Sequence, residues 1–234
     1  MSSPGKMART LLTLASLIWA GAAVAQTVEV APGVQVTKKT FPVPINEAPF
    51  FGFADKTPEQ RSADERFVTA LVQAVGSRQA ASVETIKRGW SAINSGNVAE
   101  AAQRFNQAFL LAPEQSAVYH GYAAVVQIRF NDLAFADELF RIALKQPNPS
   151  KNLNADYGRF LLIAARPRDA QPVLEQAVID APDFGDAWSN LAFARMQNGD
   201  RAAACAAAEQ AAKRNPSANV SRDLTLLKSN AQCR

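Results

Sequence analysis

The stretch AEAAQRFNQAFLLAP, residues 99–113, decides the fold, because phrases similar to it follow three more times along the chain. These are AFADELFRIALKQP (134–147), RDAQPVLEQAVIDAP (168–182) and RAAACAAAEQAAKRNP (201–216). The prolines that close the phrases stand at 113, 147, 182 and 216, at intervals of 34, 35 and 34 residues. Repetition at a fixed period of this size predicts an array in which each supersecondary unit stacks on the next.

Within each phrase, an apolar residue follows an alanine after four positions, and a second alanine follows after three more. Spacings of four and three place these side chains on one face of a helix. A second helical stretch and a short turn, such as Asn198-Gly199-Asp200, precede each phrase. The predicted unit is therefore helix, turn, helix and proline. The residues of the shared face are Ala101, Phe105, Ala108; Ala136, Phe140, Ala143; Ala170, Leu174, Ala177; and Ala204, Ala208, Ala211.

The unit at 185–218 carries the fullest pattern, and through it the chain resembles the tetratricopeptide repeat (TPR) family, as an exported bacterial-type member. The matching residues are Trp188, Leu191, Ala192, Gly199, Ala204, Ala211 and Pro216. The resemblance implies an all-α fold, a right-handed α-solenoid of about four TPR helix-turn-helix repeats, at 82–115, 116–150, 151–184 and 185–218. The pattern departs from the family at Thr85, Arg88 and Asn154, and the second unit has one extra residue near its turn.

A helix is expected on each side of the array. Residues 58–81 hold an N-terminal helix, for which Thr57 is a suitable N-cap, Pro58 a suitable first residue and Gly76 a suitable end. Residues 219–234 hold a C-terminal capping helix with leucines amid charged residues. The two helices are expected to cover the ends of the solenoid, because an array of this kind needs polar outer faces there.

Residues 26–57 are predicted to form an extended arm rich in proline and phenylalanine, since four prolines exclude a regular helix. Its aromatic residues, Phe41, Phe50, Phe51 and Phe53, are too apolar for a free linker and are expected to dock on protein. Three roles are open at this point: static packing, occupation of the protein's own groove, or service as a ligand for another envelope protein.

The first 25 residues, 1–25, are interpreted as a signal peptide. Lys6 and Arg9 precede an uncharged apolar stretch, and small residues come before a cleavage site ahead of Gln26. The mature protein is therefore expected to be periplasmic or secreted, with an uncleaved membrane anchor as the alternative. In an oxidising compartment the only two cysteines of the chain, Cys205 and Cys233, are expected to form a disulfide.

Composition and motifs argue against an enzyme. The chain has one histidine, His120, and lacks a Gly-rich phosphate loop, a metal-spaced ligand set and a nucleophile motif. No catalytic residue, cofactor, metal or small-molecule substrate is therefore predicted. The formal net charge of +4 falls to +2 when two basic residues leave with the signal peptide, and there is no basic run. This excludes nucleic acid as a favoured partner.

The resemblance implies instead a protein or peptide partner bound in the concave groove of the array, with the oligomeric state left open. Carried over by position, the groove residues are Ile86, Trp90, Asn94, His120, Gln127, Asn152, Asp156, Arg159, Ser189, Asn190, Phe193 and Gln197. For Trp90, packing on the helix at 58–75 is an equal alternative to exposure. By the same resemblance, the protein is expected to be a scaffold in envelope or secretion assembly.

Overall fold

The computed structural model describes residues 26–214 and 216–233, so the predicted signal peptide, residues 1–25, lies outside the described residues. Ten α-helices are seen in the described part of the chain. Their bounds are α1 Pro58–Val75, α2 Arg78–Asn94, α3 Val98–Leu111, α4 Ser116–Val125, α5 Leu133–Lys145, α6 Leu153–Ile163, α7 Pro167–Asp180, α8 Gly185–Gln197, α9 Arg201–Ala212 and α10 Ala218–Ala231. The predicted helical solenoid is confirmed, and the described part of the chain is nearly all-α.

Four helical hairpins make the repeats, and each consists of an A helix followed by a B helix. The pairs are α2 with α3, α4 with α5, α6 with α7, and α8 with α9, and the two helices of each pair pack along one another. Glycines in the A helices allow close approach both within a repeat and between neighbouring repeats. A Cβ atom on Gly158 would lie 2.3 Å from Leu174 Cγ of the same repeat, and one on Gly121 would lie 2.2 Å from the Phe105 ring of the preceding repeat. Only glycine fits at these contacts.

The extra residue of the second repeat is absorbed in its A helix. After α4 the chain continues as a π-helical segment, Val126–Phe130, and then turns at Asn131 in the left-handed conformation, φ 50°. A π-helical turn accommodates one inserted residue without breaking the helix. The insertion therefore leaves the stacking of α5 on α4 intact.

The aromatic residue of an A helix is tied to the proline that closes the preceding repeat. Tyr119 Oη donates to the carbonyl of Pro113 at 2.6 Å, and Trp188 Nε1 donates to the carbonyl of Pro182 at 2.9 Å. In the third repeat, where the family pattern has an aromatic residue, Asn154 Nδ2 donates instead to the Asp180 carboxylate at 2.7 Å. This polar bond joins α6 to α7 within the third repeat, so it does not replace the link to the preceding repeat.

Both ends of the array carry a helix. At the N-terminal end, α1 packs against α2 and α3, and Thr57 and Gln60 form a reciprocal capping box at its start. At the C-terminal end, α10 packs against α8 and α9, and a disulfide joins Cys205 of α9 to Cys233, with Cα atoms 5.5 Å apart. Within the described residues, no helix combines the length and apolar character needed to cross a membrane.

The arm before α1 is folded. Strands β1 (Thr27–Ala31) and β2 (Val34–Thr37) form an antiparallel hairpin, and two short 3₁₀ segments follow at Ile45–Glu47 and Pro49–Phe53. Phe50, Phe51 and Phe53 all have positive φ angles, from 53° to 56°. Such a left-handed run is costly for non-glycine residues, so contacts with the rest of the protein must hold it.

Candidate partner-binding groove

The A helices share one side of the solenoid, because α2 packs against α4 and α6 against α8. Two recesses lie on this side, and Asp156 and Arg159 border both of them. Each recess has a volume of about 290 Å³. We call the first, next to Trp90, the Trp90 recess, the second, next to Phe193, the Phe193 recess, and the pair together the A-helix groove.

Nine of the twelve groove residues predicted from the sequence line these recesses. The Trp90 recess is bordered by Trp90, Asn94, His120, Gln127, Asp156 and Arg159, and the Phe193 recess by Asp156, Arg159, Ser189, Asn190 and Phe193. The other three lie elsewhere. Ile86 is buried in the core, whereas Asn152 and Gln197 are exposed at helix ends outside both recesses.

Other residues of the groove were not predicted. The apolar wall of the Trp90 recess includes Ile128 and Phe160, and the Phe193 recess receives Asp186 from the start of α8 and Asp223 from α10. The cap helix α10 has no counterpart in the repeat pattern, so positional reasoning within a repeat does not reach Asp223. Ile128 belongs to the π-helical segment, whose altered winding shifts the usual positions.

His120 is the most unusual polar group of the groove. Its residue surface is 4% exposed, and its ring lies edge to face with Trp90, with centroids 4.6 Å apart. Nε2 is 3.0 Å from Asp156 Oδ2, within ion-pair distance, yet the geometry is not that of a hydrogen bond. Nε2 is therefore a buried polar atom without a hydrogen-bond partner, and such atoms are rare in native proteins.

Carboxylates dominate the charge of the groove. Among the described residues that line the two recesses, Asp156, Asp186 and Asp223 face a single guanidinium, that of Arg159. The chain as a whole has a formal net charge of +4. The negative character of the groove is therefore a local arrangement and does not follow from overall composition.

Trp90 packs against the core and also borders the groove. Its ring makes a T-shaped contact with Phe105 at 5.7 Å between centroids, and it borders the Trp90 recess together with Ile93. Phe193 is likewise half-buried and borders the second recess. Each ring presents apolar surface to the groove while its remainder is fixed by packing.

The arm docks on α3, on α4 and on the π-helical segment, away from the two recesses. Phe50 lies 4.6 Å from the Tyr122 ring and 5.4 Å from the Phe109 ring, and Phe41 stacks on Phe130 at 3.9 Å. No arm residue in the range 26–57 lines either recess of the A-helix groove. Of the three roles open for the arm, occupation of the protein's own groove is not the arrangement seen.

Asn106 of α3 holds the arm in place. Its Nδ2 donates to the carbonyls of Asn46 at 3.0 Å and Ala48 at 2.8 Å, and its Oδ1 accepts from the Phe51 amide at 3.2 Å. Oδ1 also accepts from the Tyr122 hydroxyl at 2.6 Å. Burial raises the pKa of Tyr122 well above its usual value, so this hydroxyl remains a donor at neutral pH.

Another recess of the surface differs from the A-helix groove in its lining. A recess of about 430 Å³ lies at the turns that close the first two repeats, bordered by Pro113, Glu114 and Pro147. It lacks the aromatic walls and the buried polar atom of the A-helix groove. Within the described ranges, no group of three or more histidine, cysteine or carboxylate side chains is placed to hold a metal ion.

Comparison with known proteins identifies the fold. No family model matches the chain, and no curated protein matches it. Among solved structures it is similar to PilF of Pseudomonas aeruginosa, at 23% identity and a TM-score of 0.59, over 66% of this chain and 71% of that one. It is also similar to TTC0263, a TPR protein of Thermus thermophilus, at 17% identity and a TM-score of 0.51, over 73% of this chain and 100% of that one.

A third similar structure is YrrB, described as a TPR protein with an unusual peptide-binding site. The identity is 17% and the TM-score 0.50, over 64% of this chain and 77% of that one. At such identities the likeness concerns the fold alone. The chain therefore has a TPR-like solenoid fold, and its function has to be argued from its own groove.

Proposed function

We propose that the protein is a non-enzymatic interaction module that binds a peptide or protein partner in the A-helix groove. The observation that carries the proposal is the groove itself, which combines half-buried aromatic rings, side-chain amides and a buried unpartnered ring nitrogen. Solenoid folds use extended surfaces of this kind for binding. The similarity to YrrB, a protein described as having a peptide-binding site, is in keeping with this role.

The chemistry of the groove suits an extended chain. A peptide brings unpaired backbone N–H and C=O groups, and the amides of Asn94, Gln127 and Asn190 can each donate and accept. The Trp90 and Phe193 rings offer apolar contacts at separate points, as expected for anchor residues of a binding surface. Because the arm is docked elsewhere, a partner reaches these residues without displacing it.

The proposed location is the periplasm or the outside of the cell, where the protein would serve envelope or secretion assembly. The signal-like segment before Gln26 supports export, and the Cys205–Cys233 disulfide is typical of an oxidising compartment. Intact mass of the protein recovered from its native host checks the export step. We expect a chain that begins at Gln26, whereas a retained first segment would favour a membrane-anchored factor.

The groove assignment is tested by site-specific photo-cross-linking. A photoreactive amino acid is placed at the groove positions Asn94 and Asn190, and at Arg168 and Glu209 on the B helices as matched exposed controls. We expect the same partner to be cross-linked from the groove positions and not from the controls. Equal cross-linking from both sets, or from the controls alone, would show that the partner binds on another surface.

A further inference from the structure

We propose that the segment bound in the A-helix groove is cationic, and that one of its lysine or arginine side chains enters the Trp90 recess to contact His120 and Asp156. This inference rests on the proposed function and specifies the chemistry of the partner. It starts from two observations, the buried His120 Nε2 without a hydrogen-bond partner and the excess of carboxylates along the groove.

The position of Nε2 indicates which kind of ligand group could form a hydrogen bond with it. Asp156 Oδ2 lies 3.0 Å away, so an incoming atom that bonds Nε2 is also close to a carboxylate. In the ring form that carries its proton on Nδ1, Nε2 is an acceptor, and the carboxylate accepts as well. An ammonium or guanidinium group carries several N–H donors and a positive charge, so it can bond both acceptors at once.

An anionic group fits the same place poorly. It would need a proton on Nε2 as donor, and it would meet the Asp156 carboxylate beside that donor. Asp156 is 42% exposed at its side chain, so it is accessible from the groove. Like charges at such a distance repel, and this disfavours a C-terminal carboxylate or an acidic side chain.

The walls of the Trp90 recess match the rest of a basic side chain. Trp90 and Ile93 are half-buried and border the recess, and the long aliphatic stem of a lysine or arginine can pack against such surfaces. An aromatic ring near the charged end adds a favourable cation–π contribution. The recess therefore offers apolar contact for the stem and acceptors for the charged group.

The negative charge continues beyond this recess. Asp186 and Asp223 border the Phe193 recess, and only Arg159 opposes them among the residues that line the groove. A segment with more than one basic residue thus gains attraction along its length. Charge complementarity of this kind speeds association and selects against acidic competitors, and it weakens as salt is added.

The test uses a phage-displayed library of random peptides selected on the mature protein. We expect the recovered peptides to be enriched in lysine and arginine and to depend on the groove. Replacing the critical basic residue of a selected peptide by glutamine should weaken binding about tenfold, and so should Asp156→Asn. The combination should cost little more than either change alone, because both remove one interaction. Glu209→Gln, an equal loss of charge on α9, is the control and should leave binding unchanged.

A second readout does not depend on any variant. The chain contains one histidine, so its side-chain ¹⁵N resonances are assigned without ambiguity. We expect the Nε2 resonance to move when a selected basic peptide binds, as it accepts a hydrogen bond. An Nε2 resonance that stays in place at saturation overturns the proposed contact with His120.

The outcomes separate the two proposals. Peptides that need Asn94 or Asn190 but show no preference for lysine or arginine would overturn the cationic partner and leave the groove function standing. Peptides that bind equally well when both asparagines are replaced by alanine would overturn the groove function, and the present inference with it. Enrichment of basic peptides that Asp156→Asn leaves unchanged would place the cationic contact elsewhere and refute it.

Discussion

The substitution Asn106→Ala should destabilise the protein more than any other single truncation at the junction between the arm and the repeats. The Asn106 side chain is fully buried and makes four hydrogen bonds, three to arm backbone groups and one to Tyr122. Alanine removes all four at once. The expected result is a lower free energy of unfolding together with an arm that opens more often.

The size of the effect can be worked out bond by bond. The Tyr122 hydroxyl and the Ala48 carbonyl are buried, and each would lose its Asn106 partner. Leaving such a group unsatisfied costs about 1 to 3 kcal/mol. The Asn46 carbonyl and the Phe51 amide are partly buried and can regain water if the arm loosens. The sum over the two buried groups is a destabilisation of about 2 to 6 kcal/mol.

Urea denaturation followed by circular dichroism measures this change, and chymotrypsin cleavage at the arm phenylalanines reports local opening. Tyr122→Phe is the matched control, because it removes one of the four bonds and keeps the ring in place. It should cost about 1 kcal/mol. An Asn106→Ala variant that loses no more than Tyr122→Phe, with an arm still resistant to chymotrypsin, would refute the role of Asn106 as the anchor of the arm.

Three further changes test the packing of the array. Gly158→Ala places a Cβ 2.3 Å from Leu174 Cγ and should lower the free energy of unfolding, measured by urea denaturation, by about 1 to 3 kcal/mol. A variant as stable as the wild type would show that α6 and α7 can move apart without cost. Cys233→Ser should cost about 3 to 4 kcal/mol under non-reducing conditions, and hydrogen exchange should rise in α10 first; unchanged protection would refute the disulfide as its anchor. Phe41→Ala removes a ring stacked on Phe130 and should raise hydrogen exchange in the β-hairpin without changing that of α8.

The repeats could be predicted from the sequence because their signals are local and recur. The closing prolines fix the period, and the triplet of Ala101, Phe105 and Ala108 in the first repeat recurs at matching positions in the next three. All three of these residues are buried in the structure. In the first and third hairpins a glycine of the A helix faces a large residue of the B helix, Gly89 facing Phe105 and Gly158 facing Leu174, and such pairs can be found by comparing the repeats.

The arm could be predicted only in part. Its aromatic content indicated docking, but the left-handed conformation of Phe50, Phe51 and Phe53 has no signal in local propensity, which disfavours it. Asn106, the residue that holds the arm, lies in α3, far from the arm in sequence. In the sequence of that helix it has the appearance of an ordinary polar residue. Tertiary contacts of this kind override local preference, so sequence pattern alone does not reveal them.

The groove residues on the repeat helices could be predicted from the sequence, whereas those on the cap helix could not. Residues of the A helices such as Trp90 and Asn190 follow from repeat positions. Asp223 comes from the cap helix, which is not a repeat, and Ile86 is buried at a position where the family pattern expects exposure. The charge of the groove, which depends on Asp223, therefore could not be predicted from the repeat pattern.

The placement of the arm and the openness of the groove are linked. Left-handed phenylalanines cost about 1 to 2 kcal/mol each, so the arm persists only because burial of Phe50 and the bonds to Asn106 offset that cost. Those contacts are made on α3 and α4, at the Phe109 and Tyr122 rings and at Asn106, and none of these three residues lines either recess of the groove. The proposed partner would therefore reach the groove without displacing the arm.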